Sequence, residues 1–419
     1  MTIKIFGPCA KQADTHNNAK TRSRFMLDIL PLASRIRGRY IEAGLPNMLY
    51  EPVVQELNDY IHAEKSRKKD FQKAIDKARS FSIREMDDIR TTKDYLDYIN
   101  ALLRWVPSEN VHGRTIYDRL AKFHFILDQT PVRKWQNAIR PHPEAPPLTW
   151  LSAWMVPYAH AMGAFMDTPE SLTPESLATF RSSPNYNLNE YLEPRGGWRT
   201  FNDFFARSFK PGYRPVAAVC DQTVVVNAAD STFDGQWEIR TDSHITLKGL
   251  HWQVSELMEG SPYQGRFQNG IFMHAFLGPT DYHRLHAPVG GTVLEARVIP
   301  GQVYLQVEAD AEQELRTVRV FDAPDDPGYQ FAQARGLIVL DTPIGLVAVL
   351  PIGMTQVSSV VVTAEVGVTV RKGEELAYFQ FGGSDIVLLF EAKSNVSITA
   401  QMGVHYKMGT RLAQAYPVL

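Results

Sequence analysis

An α+β fold is predicted for this chain: a helical amino-terminal extension over residues 1–195, then a mostly antiparallel, β-rich domain over residues 196–419. Three observations carry the prediction. Apolar residues recur at helical spacing through the first half, and after Pro215 they give way to short runs rich in Val, Ile and Thr. Gly and Pro punctuate those runs, with no fixed-period repeat and no phosphate-binding glycine loop of the GxxxxGK[ST] or GxGxxG type. Closely spaced strands with few long helical stretches between them argue against a parallel βαβ array.

Taken in order, EKSRKKDFQKAIDKARS mixes both charge signs around Phe71, Ile75 and Ala78, the signature of a solvated helix with one buried stripe. The segment TTKDYLDYINALLRWVP sets Tyr95, Ile99, Leu102 and Val106 on one face, with a Thr cap before it and Pro107 after it. Prolines 141, 143, 146 and 147 in PHPEAPP forbid regular helix and mark a connection. LTWLSAWMVPYAHAMGAFMDT reads as a mostly buried helix, kinked or interrupted at Pro157, with His160 a core histidine. Strands are expected at QTVVV, HITLKG, GGTVLEARV, GLIVL, GLVAVL and SVVVTAEVGVTV.

Composition excludes several classes. With 44 Lys and Arg against 46 Asp and Glu there is no electrostatic footprint for nucleic acid. Two cysteines, Cys9 and Cys220, make neither a disulfide framework nor a Cys-rich zinc module. The most apolar stretch, Gly336 to Met354, is broken by Asp341, so no membrane span is expected, and the start lacks the apolar run of a secretory signal. A soluble, cytoplasmic protein is the expectation, with peripheral membrane association if its substrate is a phospholipid.

Two places concentrate chemistry. In DYHRLHAP, His283 and His286 share a face on a helical turn, where they could ligate a metal with Asp281, but diverge on extended backbone. No third ligand stands at a telling spacing, so no metal is assigned; two groups titrating near neutral pH also suit acid–base work. In FGGSD, Ser384 follows two glycines and opens an apolar run, where its hydroxyl can approach the carbonyl of Gly383. This is not a G-x-S-x-G elbow, because Asp385 and Ile386 follow the serine.

Together, ITLKGLHWQVSEL, DYHRLHAPVGG, IGMTQVSSV and KGEELAYFQFGGSDIVLLFE stand in the order and spacing of the phosphatidylserine decarboxylase family, which the chain strongly resembles from FNDFFARSFKPGYRP to KMGTRL. The resemblance implies self-cleavage between Gly383 and Ser384. The products are a β chain, 1–383, and an α chain, 384–419, that stay together, with Ser384 converted to a pyruvoyl cofactor in place of PLP. It implies an Asp-His-Ser triad, in which His286 is the base for Ser384 and Asp230 orients it, with Asp234 as a competing register. His283 is implied for proton transfer at the substrate stage. Asp385 departs from the family's usual Thr. The family's tendency to associate implies a homodimer. The helical segments resemble the fungal branch that includes the L-tryptophan decarboxylase of psilocybin biosynthesis. That likeness implies removal of the carboxylate of a free, aromatic amino acid through a Schiff base. Phosphatidylserine is the alternative substrate, and a non-catalytic interaction protein retaining the fold is a second alternative.

Overall fold

Helices form where the sequence supplies both an apolar stripe and a start signal. In the computed structural model, which describes residues 49–142, 146–309, 321–322, 328–355, 359–381 and 384–418, they run α1 Pro52–Ala63, α2 Lys65–Ser80, α3 Thr92–Leu102, α4 Thr115–Leu127, α5 Thr130–Arg133, α6 Trp150–Met166, α7 Pro174–Ser182, α8 Phe201–Phe205 and α9 Val254–Leu257. Residues 1–52 form a unit of their own, of which only 49–52 are described; Cys9 lies outside the described residues. Residues 53–419 form a second unit.

The periodic stripes are the buried ones. Helix α2 buries Phe71, Ala74, Ile75 and Ala78 under a solvated face. Helix α3 starts with a capping box: Thr91 Oγ1 accepts from the Asp94 amide and Asp94 Oδ2 accepts from the Thr91 amide, an arrangement typically worth about 1 kcal/mol. It buries Tyr95, Leu96, Ile99 and Leu102 but stops there, short of Val106. Helix α6 runs through Pro157 without interruption. The ring leaves the Ala153 carbonyl without its intrahelical donor, on a residue that is exposed. His160 is exposed rather than a core residue.

Each predicted apolar run contains a strand. The strands that frame the site are β1 Ser231–Glu238, β2 Ile271–Leu277, β3 Arg284–His286, β4 Gly291–Ile299, β5 Arg335–Thr342, β6 Gly345–Gly353, β7 Val360–Val362, β8 Thr369–Val370, β9 Glu375–Phe379, β10 Ser384–Phe390 and β11 His405–Tyr406. Eight of them form one sheet in the order β8-β4-β5-β6-β10-β2-β1-β11, and β7-β9-β3 form a second. The pairings within both sheets are antiparallel, as expected for an α+β fold without crossover helices. Gly291 opens β4, where a Cβ would stand 2.4 Å from the Asp341 carbonyl of β5, so the strands meet there only around glycine.

Strand β10 lies in the middle of the large sheet and is buried at every position. Its register runs from Ser384 opposite Gly353 and Leu277 to Phe390 opposite Val347 and Ile271. Alternation gives it two faces. Val387 and Leu389 join a core cluster with Trp252, Phe272, Phe331, Leu337, Val339 and Leu350. Ser384 belongs to the opposite set.

Candidate active site

Ser384 is the first residue of β10 and is fully buried. Gly382 and Gly383 lie outside the described residues, so the expected cleavage point is approached from its flanks, Phe381 and Ser384. The serine hydroxyl is 3.2 Å from His283 Nδ1. His283 Nε2 lies 3.5 Å from the Pro279 carbonyl, which can only accept, so that nitrogen carries the proton and Nδ1 presents its lone pair to the hydroxyl. The ring stacks on Phe205 at 3.8 Å and 16°, and Phe379 meets it edge-on. Burial, reinforced by the nearby Arg207 cation, pushes the imidazole down to about 3, so it is neutral at physiological pH and keeps a lone pair on one ring nitrogen.

His286 goes elsewhere. Its backbone is in β3, and extended geometry turns the two histidines apart, the divergent arrangement of the two that the spacing allows. His286 Nδ1 donates to the Gly373 carbonyl at 2.9 Å, so Nε2 accepts from the Tyr282 hydroxyl at 2.9 Å. Burial lowers its pKa as well. The hydrogen bonds therefore give Ser384 to His283, whereas the family resemblance implied His286.

The two carboxylates expected to orient His286 also have other partners. Asp230, buried in the turn before β1, accepts from Arg214 Nε at 2.9 Å and from the Met408 amide at 2.7 Å. Arg214 is held further by Glu190 and lies over the Phe209 ring. Asp234 sits at a register shift in β1, between Phe233 and Gly235, where the bulge aims it at His274 Nδ1, 2.9 Å away. His274 Nε2 meets Asp385 Oδ2 at 3.1 Å, and the Gln330 amide reaches both. Asp385 is thus part of a buried polar line on the opposite face of β10 from Ser384, and its Oδ1 has no hydrogen-bond partner.

Sequence reasoning passed over residues that hold this geometry. His274 hides in the apolar run IFMHAFL, where only its polarity marks it. Arg207, 1% exposed, donates to the Thr280 and Asp281 carbonyls, while Arg284 Nε donates to the Ala206 carbonyl; the two arginines tie segment 205–207 to the loop that carries His283. Thr355 has φ +62°, a rare conformation for a β-branched residue, and its buried hydroxyl is unpartnered. It follows Gly353, the register partner of Ser384, by two residues.

A buried serine hydroxyl within hydrogen-bond reach of a neutral imidazole has the pairing of a nucleophile with a base. The family model described as phosphatidylserine decarboxylase matches residues 201–414. Among curated proteins, the chain is 32% identical over 233 residues to phosphatidylserine decarboxylase proenzyme 2 of Oryza sativa subsp. japonica, covering 55% of this chain and 35% of that protein. It is 33% identical to proenzyme 3 of Schizosaccharomyces pombe, covering 55% and 22%. It is 32% identical to the phosphatidylserine decarboxylase proenzyme of Fusobacterium nucleatum, covering 55% and 71%. The chain thus spans well under half the length of the rice and fission-yeast proteins.

Proposed function

Because this chain belongs to the phosphatidylserine decarboxylase family, we propose that it cuts itself between Gly383 and Ser384 and then decarboxylates the serine head group of phosphatidylserine. The observation that carries the reading is the 3.2 Å contact between Ser384 Oγ and the unprotonated nitrogen of His283. As base, His283 takes the hydroxyl proton while Oγ attacks the Gly383 carbonyl; the amide C–N bond breaks, an ester C–O bond forms, and the proton passes to the freed nitrogen of residue 384. Loss of the Cα proton expels residues 1–383 as a carboxylate, and water then replaces the nitrogen as ammonia, leaving a ketone. His286, linked to Tyr282, is the candidate for proton transfer at the later, substrate stage, the reverse of the roles the motifs implied.

Ser384 fits a pyruvoyl precursor: it is buried, it begins a strand, and a base faces it. Once formed, the group supplies an electrophilic carbonyl for the substrate amine and a sink for the electrons of the breaking bond to the carboxylate. This chain's residues keep that place dry: Phe205, Phe379 and Phe381 are buried around His283 and the approach to Ser384. We also keep the division of labour at 195/196 as part of this proposal, with the chemistry in the carboxy-terminal part.

The same aromatic cluster favours a second reading, a free aromatic amino acid as substrate. Among the described residues no helix is long and apolar enough to cross a membrane, so a phospholipid would be met at a bilayer surface. Intact mass of the purified protein tests the cleavage: two chains meeting at 383/384 are expected, with a carbonyl on the shorter one trappable by hydrazine. Carbon dioxide released from phosphatidylserine vesicles, against none from tryptophan, supports the first reading and the converse supports the second. A single uncut chain would leave only a non-catalytic role.

A further inference from the structure

We infer that Asp167, at the carboxyl end of helix α6 in the extension, is a positioning residue for self-cleavage: through Asn202 and Gln380 it fixes the backbone that leads into Ser384. The inference rests on the cleavage proposed above. One carboxylate oxygen, Asp167 Oδ1, accepts from Asn202 Nδ2 at 2.9 Å and from Gln380 Nε2 at 3.2 Å. Asn202, 4% exposed, then accepts the Phe381 amide on its own Oδ1 at 2.9 Å. The order of these bonds matters. A side-chain amide can face either way, and an acceptor-only carboxylate on one side forces its NH2 there and its oxygen toward Phe381.

Helix propensity does not explain the carboxylate. Asp167 is the carboxyl cap of α6, and a negative charge at that end of a helix is unfavourable. Two amide donors from elsewhere in the fold offset it. A second tie runs parallel: the Phe201 amide, an orphan donor at the start of α8, is taken by Ser171 Oγ at 2.9 Å. The stretch 167–171 thus anchors α8 twice. Helix α8 in turn touches both the scissile segment and its base: Asn202 holds Phe381 just ahead of the cut, and Phe205 stacks on His283. From the extension Trp105 packs against the Phe381 ring, 6.2 Å between centroids. The helical region on this account is a jig that presents the scissile segment to its base.

The test uses the full chain with Asp167→Ala and Asp167→Asn, each also placed in a Ser384→Ala background that cannot cut. Chain splitting is followed over time by denaturing electrophoresis and intact mass. Asp167→Ala should mature about tenfold more slowly, in line with losing a hydrogen bond to a charged group, and Asp167→Asn, which keeps an acceptor oxygen, should stay within a factor of about two to three. Melting temperatures in the uncut background should match, and product formed per trapped carbonyl should equal that of the unsubstituted chain once cutting is complete. Splitting of Asp167→Ala at the ordinary rate overturns the inference, as does a large drop in its melting temperature, which would make the residue a folding element. Should Asp167→Ala not accumulate as folded protein, Gln380→Ala takes its place, with severalfold slower splitting expected and an ordinary rate overturning the inference. An unsubstituted chain that never splits would instead sink the cleavage reading itself.

Discussion

The two sides of β10 at its first two residues solve opposite electrostatic problems. On one side Ser384 meets His283 among aromatic rings, with a cation rather than a carboxylate near the imidazole. On the other, Asp385, His274 and Asp234 form a line of charge partners with Gln330 bridging two of them. Both histidines are wholly buried, so burial does not distinguish them. Their partners do: carboxylates flank His274, whereas rings and a nearby cation surround His283. Adjacent residues on one strand therefore face a neutral imidazole among rings on one side and an imidazole between carboxylates on the other.

The sharpest break in that comparison is Ser384→Ala, which should abolish chain splitting altogether, read by intact mass. Next, His283→Ala should slow splitting by about 10²- to 10⁴-fold, the usual worth of a positioned base, while His286→Ala costs less than about tenfold at that step. The reverse ranking would return the base to His286. On the opposite face, His274→Ala in the Ser384→Ala background should lower unfolding stability by about 3–5 kcal/mol, because it strands the buried Asp385 carboxylate; denaturant titration reads this. Asp385→Asn, by contrast, should leave splitting within a few fold of normal.

A further effect is on the pH dependence of stability. His283 is depressed to about 3 when folded against an ordinary value of 6.5, so the unfolded chain binds the extra proton as pH falls. Its contribution to stability is fully present above pH 6.5 and declines from there toward pH 3, by about 2 kcal/mol at pH 5. Replacing His283 with Gln in the uncut background should flatten that part of the stability profile, and an unchanged profile would show the imidazole is not buried as described.

Much of this was legible in the residues. Thr91 and Asp94 announce α3 because a cap is a local device, and the Val-rich runs announce strands because alternation is local too. The serine after two glycines and the paired histidines were visible for the same reason. What was not visible is who faces whom. Whether His283 or His286 reaches Ser384 depends on extended backbone meeting β9 and β10, some ninety to a hundred residues away. Asp230 is taken by Arg214, and Asp234 is re-aimed by a bulge; neither is written in the spacing of NAADSTFDG. Of the two outcomes expected at Pro157, interruption does not occur: the helix continues through it.

One consequence follows from where β10 lies. A chain severed just ahead of Ser384 gains a loose end in the middle of a sheet, yet that end is gripped along its whole length by β6 and β2. The fragment beginning at residue 384 can leave only if both ladders open at once, so the two products behave as one cooperative body with a nick in it. Breaking the covalent thread there costs the architecture almost nothing, and that is where a protein can turn a piece of its own backbone into a reagent.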